Sequence, residues 1–211
     1  MHPIILNLQK KAKQGDFSAL EKLAWCFDQG KYCKKSYKKA FKYYTLAAKK
    51  TKNPIIFYNL SLYYLLGQGT SKDYQKAFEI IKKAAKKEYL DAYIALAWHY
   101  YNGFGTTKNL TLAIKYYKKA QNIENNAASL FSLGEIYYDK KDFLQAKVYL
   151  EKAVEEFQHA KAAYFLGRIY FEGKAIERNF KKAKKLLTFA MKNNIYNAKR
   201  LLNSKKFKSK F

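Results

Sequence analysis

Five pairs of alanines, the members of each seven residues apart, recur along the chain: Ala40/Ala47, Ala77/Ala84, Ala113/Ala120, Ala146/Ala153 and Ala183/Ala190. Successive pairs are separated by 37, 36, 33 and 37 residues, and a period in this range is the mark of an array of stacked supersecondary units. Four residues before each first alanine stands Ser36, Asp73, Asn109, Asp142 or Asn179. Each of these side chains can cap a helix by accepting from an otherwise orphan backbone N–H. A hydrophobic residue follows every cap, and Tyr43, Ile80, Tyr116, Tyr149 or Leu186 comes three past the first alanine. Offsets 0, +3, +4 and +7 share one helix face, so these segments read as the second helices of five hairpins.

A first helix precedes each of them. Leu23, Leu60, Leu96, Leu133 and Leu166 are each followed by Ala, Ser or Gly, and then by an aromatic: Phe27, Tyr64, Tyr100, Tyr137 or Tyr170. The small residue lets a neighbouring backbone approach while the Leu and the ring fill the space beside it. Most glycines fall in turns between paired helices, and Asn53-Pro54 reads as a cap followed by the first helical position. One hairpin cannot bury its apolar face alone, so stacking must supply the core. The expectation is a single all-α domain over 1–211, a right-handed α–α superhelix (solenoid). Its repeats span about 16–50, 53–87, 91–122, 125–157 and 160–192, with cap helices at 3–14 and 195–203 and a frayed basic tail at 204–211.

The string Leu96-Ala97-Trp98-His99-Tyr100-Tyr101-Asn102-Gly103-Phe104-Gly105, followed by Leu112 to Ala120, resembles the Sel1-like repeat, a relative of the tetratricopeptide repeat. The pattern returns at Leu60–Gly69 with Lys76–Ala85 and at Leu166–Gly173 with Lys182–Ala190. The unit from Asn125 to Phe157 departs from it, with a shorter interhelical loop and no glycine pair, and is closer to a tetratricopeptide repeat. The resemblance implies a protein-interaction scaffold of a kind frequent in bacteria, in signalling adaptors and in contacts with host cells. Cysteine-rich members join adjacent helices by disulfides. Here Ala85 and Ala92 stand at those places, and Cys26 and Cys33 read as a core thiol and a loop thiol.

Composition narrows the function. Hydrophobic residues form 49% of the chain and aromatics 18%, which excludes a disordered polycation. No cationic n-region precedes the apolar residues near the start, so the default expectation is a cytoplasmic protein, with delivery by a specialised secretion system left open. The three histidines and two cysteines are poor material for a metal cage, and neither a cofactor nor a metal is expected. No Gly-rich phosphate loop, nucleophile elbow or paired histidines at metal spacing is present. His99, next to a core aromatic, reads as packed or hydrogen-bonded. The chain reads as no enzyme.

The two outward faces differ. Those of the second helices carry Lys38, Lys42 and Lys49, Lys82 and Lys86, Lys115 and Lys118, and Lys181, Lys185 and Lys192; the fourth carries Leu144, Val148, Glu151 and Glu155 instead. The corresponding face of the first helices should be charged if it were merely solvated. It carries Trp25, Tyr58, Leu62, Asp91, Trp98, Tyr101, Phe131, Glu135, Tyr138, Tyr164, Arg168 and Phe171. First helices line the concave surface of stacked hairpins, so these residues are expected to bind a protein or peptide partner in an aromatic groove. The competing reading is that superhelical curvature or the next repeat buries them. A second functional reading starts from the formal charge of +26, which suits nucleic acid or an anionic membrane. Only Arg168, Arg178 and Arg200 are arginines among 42 basic residues, and the lysines are expected on the face away from the aromatics; both features argue against nucleic acid.

Overall fold

A computed structural model describes residues 2–210; Met1 and Phe211, the ends of the expected domain and tail, lie outside them. Every regular element among the described residues is an α-helix. The described residues form two compact units, divided between Tyr116 and Tyr117.

The first unit contains α1 (Pro3–Lys13), α2 (Phe17–Gln29), α3 (Tyr37–Ala48), α4 (Pro54–Leu66), α5 (Tyr74–Ala85) and α6 (Leu90–Asn102), and the part of α7 (Leu110–Ile123) up to Tyr116. α2 packs on α3 and α4 on α5, while α1·α2, α3·α4 and α5·α6 contacts join one hairpin to the next. The second unit continues from Tyr117 through α8 (Ala127–Asp139), α9 (Phe143–Phe157), α10 (Ala160–Glu172), α11 (Phe180–Lys192), α12 (Tyr196–Leu202) and α13 (Lys205–Lys208). There α8 pairs with α9 and α10 with α11, and α12 packs on α11.

The repeat pattern explains these pairings. All ten alanines of the five pairs are 0% exposed, which puts the second helices against their neighbours at backbone distance. Each cap residue accepts where expected: Ser36 from Lys39 N–H (3.4 Å), Asp73 from Lys76 (2.9 Å), Asn109 from Leu112 (2.9 Å), Asp142 from Gln145 (3.1 Å) and Asn179 from Lys182 (2.8 Å). The cap's own N–H donates to the carbonyl of the first-helix aromatic, as in Asn109 to Tyr100 (2.8 Å) and Asn179 to Tyr170 (3.0 Å). The end of one helix is thereby fixed to the start of the next.

Ring stacking closes three of the hairpins. Phe27 lies on Tyr43 (5.6 Å, 5°), Tyr100 on Tyr116 (5.7 Å, 4°) and Tyr137 on Tyr149 (5.6 Å, 2°). Such pairs contribute about 0.5–1.5 kcal/mol beyond the area they bury. Among the described residues Cys26 and Cys33 are free thiols, the first buried and the second half-buried. The expected basic tail contains α13, whose Phe207 is buried. A four-residue helix is too short to hold itself, so this one ring anchors the segment.

Candidate partner-binding site

In the first unit the outward residues of α2, α4 and α6 sit at different depths. Trp25 is 44% exposed and borders a hollow of about 230 Å³ with Glu21, Tyr44, Asn53 and Ile55. Asn53 donates to Glu21 (3.1 Å), holding that carboxylate at the rim. Tyr58, Leu62, Asp91, Trp98 and Tyr101 are half-buried. Tyr58 meets Tyr89 edge-on (5.7 Å), and the Tyr89 hydroxyl donates to Asp91 (2.7 Å). Burial, with that carboxylate beside it, pushes the Tyr89 phenol up to about 12. Trp98 lies against Phe104 of the following loop (5.0 Å).

In the second unit the candidates converge more closely. Phe131 stacks on His159 (4.6 Å, 27°), and Tyr138 meets Phe165 (5.0 Å) and Phe143 (5.3 Å) edge-on. The Arg168 guanidinium lies 5.2 Å from the Tyr138 ring and 5.8 Å from Tyr164, and it donates to Glu172 (3.3 Å). Lys174 reaches the same carboxylate at 2.6 Å. Burial alone would raise the Glu172 pKa, but Lys174 and Arg168 together hold it below the usual carboxylate value.

Phe131, Glu135 and Tyr164 line one cavity of about 490 Å³, together with Lys161, Phe165 and the stretch from Asn194 to Asn197. Burial pushes the Glu135 carboxyl upward, Asp139 adds to that, and Lys161 opposes it. A hydrogen-bond donor or cation entering this cavity would meet an acceptor flanked by rings.

Two features differ from the expectations. Phe171 is 4% exposed, covered by Phe207 at 4.9 Å, so no ligand reaches it while α13 is in place. Lysines also stand among the aromatics rather than only on the opposite face: Lys31 over Trp25 (5.1 Å), Lys108 over Tyr101 (5.2 Å) and Lys174 over Tyr138 (5.2 Å). All three come from interhelical loops, whose side chains fold back over the helix ends where helical periodicity makes no statement. Sequence reasoning also missed Phe165 and Tyr196. Phe165 lies one residue from a candidate position, and Tyr196, 75% exposed, belongs to a helix outside the repeat register.

A second cavity, about 590 Å³, opens between α9 and α11 over Leu166 and Tyr170, with Glu151 and Glu155 on one side and Lys182 and Lys185 on the other. Among the described residues no group of His, Cys, Asp and Glu is arranged to hold a metal ion, and no helix is long and apolar enough to cross a membrane.

The family model described as Sel1 repeat matches residues 18–51, 58–89, 90–120, 125–156 and 160–194. The crystal structure of a Sel1 repeat protein from Oxalobacter formigenes is 29% identical and superposes with a TM-score of 0.74, covering 89% of this chain and 77% of that one. Chitin synthase regulatory factor 3 of Schizosaccharomyces pombe is 29% identical over 143 residues, 64% of this chain and 15% of that protein. Beta-lactamase HcpA of Helicobacter pylori is 43% identical over 60 residues, 28% of this chain and 24% of that protein. The chain thus spans less than a quarter of either curated relative, and the likeness to HcpA is one of repeat sequence.

Proposed function

Because the chain belongs to the Sel1 repeat family, whose members generally mediate protein–protein contacts, we propose that it is a non-enzymatic scaffold that holds a partner peptide or protein on the face of its first helices. The observation that carries this reading is the cavity where Phe131, Glu135 and Tyr164 meet. It joins aromatic walls to one half-buried carboxylate, a combination suited to an apolar side chain flanked by a donor. The hollow beside Trp25 and Glu21 repeats the combination in the first unit. Aromatic anchors in desolvated hollows contribute most of the energy of an interface. Each unit thus offers an anchor point of the same chemistry, and the loop lysines over Trp25, Tyr101 and Tyr138 are positioned to favour carboxylates on the partner.

A peptide library displayed on phage and selected on the intact protein supplies the test. Tyr164→Ala is expected to weaken selected peptides by about 2 kcal/mol, close to thirtyfold. Lys42→Glu, on the second-helix face, should leave them within about twofold of wild type. Peptides insensitive to Tyr164→Ala and Trp25→Ala but lost on reversal of second-helix lysines would replace the aromatic face with the lysine surface as the binding site.

A further inference from the structure

The C-terminal segment occupies a seat whose charge it does not match. Ser204 accepts from the Phe207 N–H (3.2 Å) to start α13, and the Phe207 ring, 2% exposed, lies 4.9 Å from Phe171. Phe171 in turn meets Phe180, the first residue of α11, at 5.8 Å. Lys206 and Lys210 are drawn across these rings, each ammonium 5.9 Å from Phe171 and Phe180 respectively.

The chain on either side of the seat is basic. Lys174, Arg178, Lys181, Lys182 and Lys184 stand against Glu172 and Glu177, and Glu172 is already engaged by Lys174 (2.6 Å) and Arg168 (3.3 Å). Into this neighbourhood the tail brings Lys205, Lys206, Lys208 and Lys210. The ring fits its place, while the tail's four lysines add to stretches of chain already rich in positive charge. The buried Phe207 ring holds the segment, and the tether gives it an effective concentration on the order of millimolar.

We propose that the Phe171–Phe180 seat is a binding site for an acidic partner segment carrying one aromatic residue, which displaces α13 by supplying the same ring with carboxylates in place of lysines. The site is separate from the first-helix face proposed above. It uses the one aromatic of that series that the tail covers, and Tyr164→Ala should not affect it.

The test uses the intact protein and two fluorescent peptides. One has the order of Ser204–Lys210 with every lysine replaced by glutamate; the other is the same with its Phe replaced by Ala. The Phe peptide should bind the wild-type chain, and bind Phe207→Ala about tenfold more tightly because the tail no longer competes. The Ala peptide should bind at least about tenfold more weakly than the Phe peptide. In the wild-type chain the Phe peptide should also speed tryptic cleavage at the tail lysines by releasing α13, a readout that holds whether or not Phe207→Ala folds. Equal binding of the two peptides, no binding at roughly 1 mM, or cleavage no faster with the Phe peptide than with the Ala peptide overturns the proposal.

Discussion

His99 shows how much one buried polar side chain sets. It is 2% exposed, with Nδ1 2.7 Å from the Phe104 carbonyl oxygen. A carbonyl only accepts, so Nδ1 carries a proton and donates. Burial lowers its pKa, partly offset by that hydrogen bond; His159 is lowered too, by burial and then by Lys161. A base whose folded pKa lies below its unfolded value of about 6.5 contributes its full stability above that value and loses it as pH falls toward the folded pKa. Thermal melts should therefore fall between about pH 7 and pH 5, and His99→Phe should flatten that slope while leaving the part due to His159. Gly105 is the second decisive residue. Its φ is +70°, and an added Cβ would strike the Tyr74 carbonyl oxygen. Gly105→Ala is expected to cost more than about 2 kcal/mol in urea unfolding. Gly15→Ala, where no atom lies within 4 Å of the added carbon, carries only the positive-φ cost of about 1 kcal/mol. The sequence marked Gly105 as a turn and His99 as a packed or bonded side chain. The backbone it nearly touches and the carbonyl it serves belong to the tertiary structure.

Among elements, the hairpin of α10 and α11 departs from the pattern. Three hairpins close with stacked rings; α4–α5 offers Tyr64 and Ile80 and this one Tyr170 and Leu186, and here the Tyr170 hydroxyl donates to Glu151 of α9 (2.8 Å). Burial and that carboxylate push the Tyr170 phenol up to about 12, and Lys147 pairs with Glu151 from the other side (3.3 Å). The cavity between α9 and α11 lies over this substitution. Leu186→Tyr should restore the stacked pair and raise stability by about 0.5–1.5 kcal/mol in the same unfolding measurement. Helices, caps and the alanine seam were legible because a period of three to four residues states which face is buried. The loop lysines over Trp25, Tyr101 and Tyr138, the wall formed by Tyr196 and the cover supplied by Phe207 were not legible. They come from loops and terminal helices, where no period applies and only folded geometry brings a side chain onto a ring.

For the molecule as a whole, a formal charge of +26 sets a repulsion that folding concentrates. The five ion pairs among the described residues are all local in sequence and partly solvent-exposed, so each contributes little. Raising sodium chloride from about 20 to 300 mM shortens the screening length to below about 10 Å. The melting temperature should therefore rise; a fall would mean that attractive pairs outweigh the repulsion. The charge was plain from composition. That part of it stands over the aromatic face was not, because a count of lysines does not say which loop carries them. The junction described above, in which each cap N–H donates to the carbonyl of the preceding aromatic, also bears on how the chain folds. Every hairpin is closed by partners only five to nine residues apart, so nucleation needs no distant meeting of chain ends. Contacts this local favour folding in microseconds to milliseconds. A ribosome releasing roughly ten residues each second would let one hairpin shut before the next is synthesised.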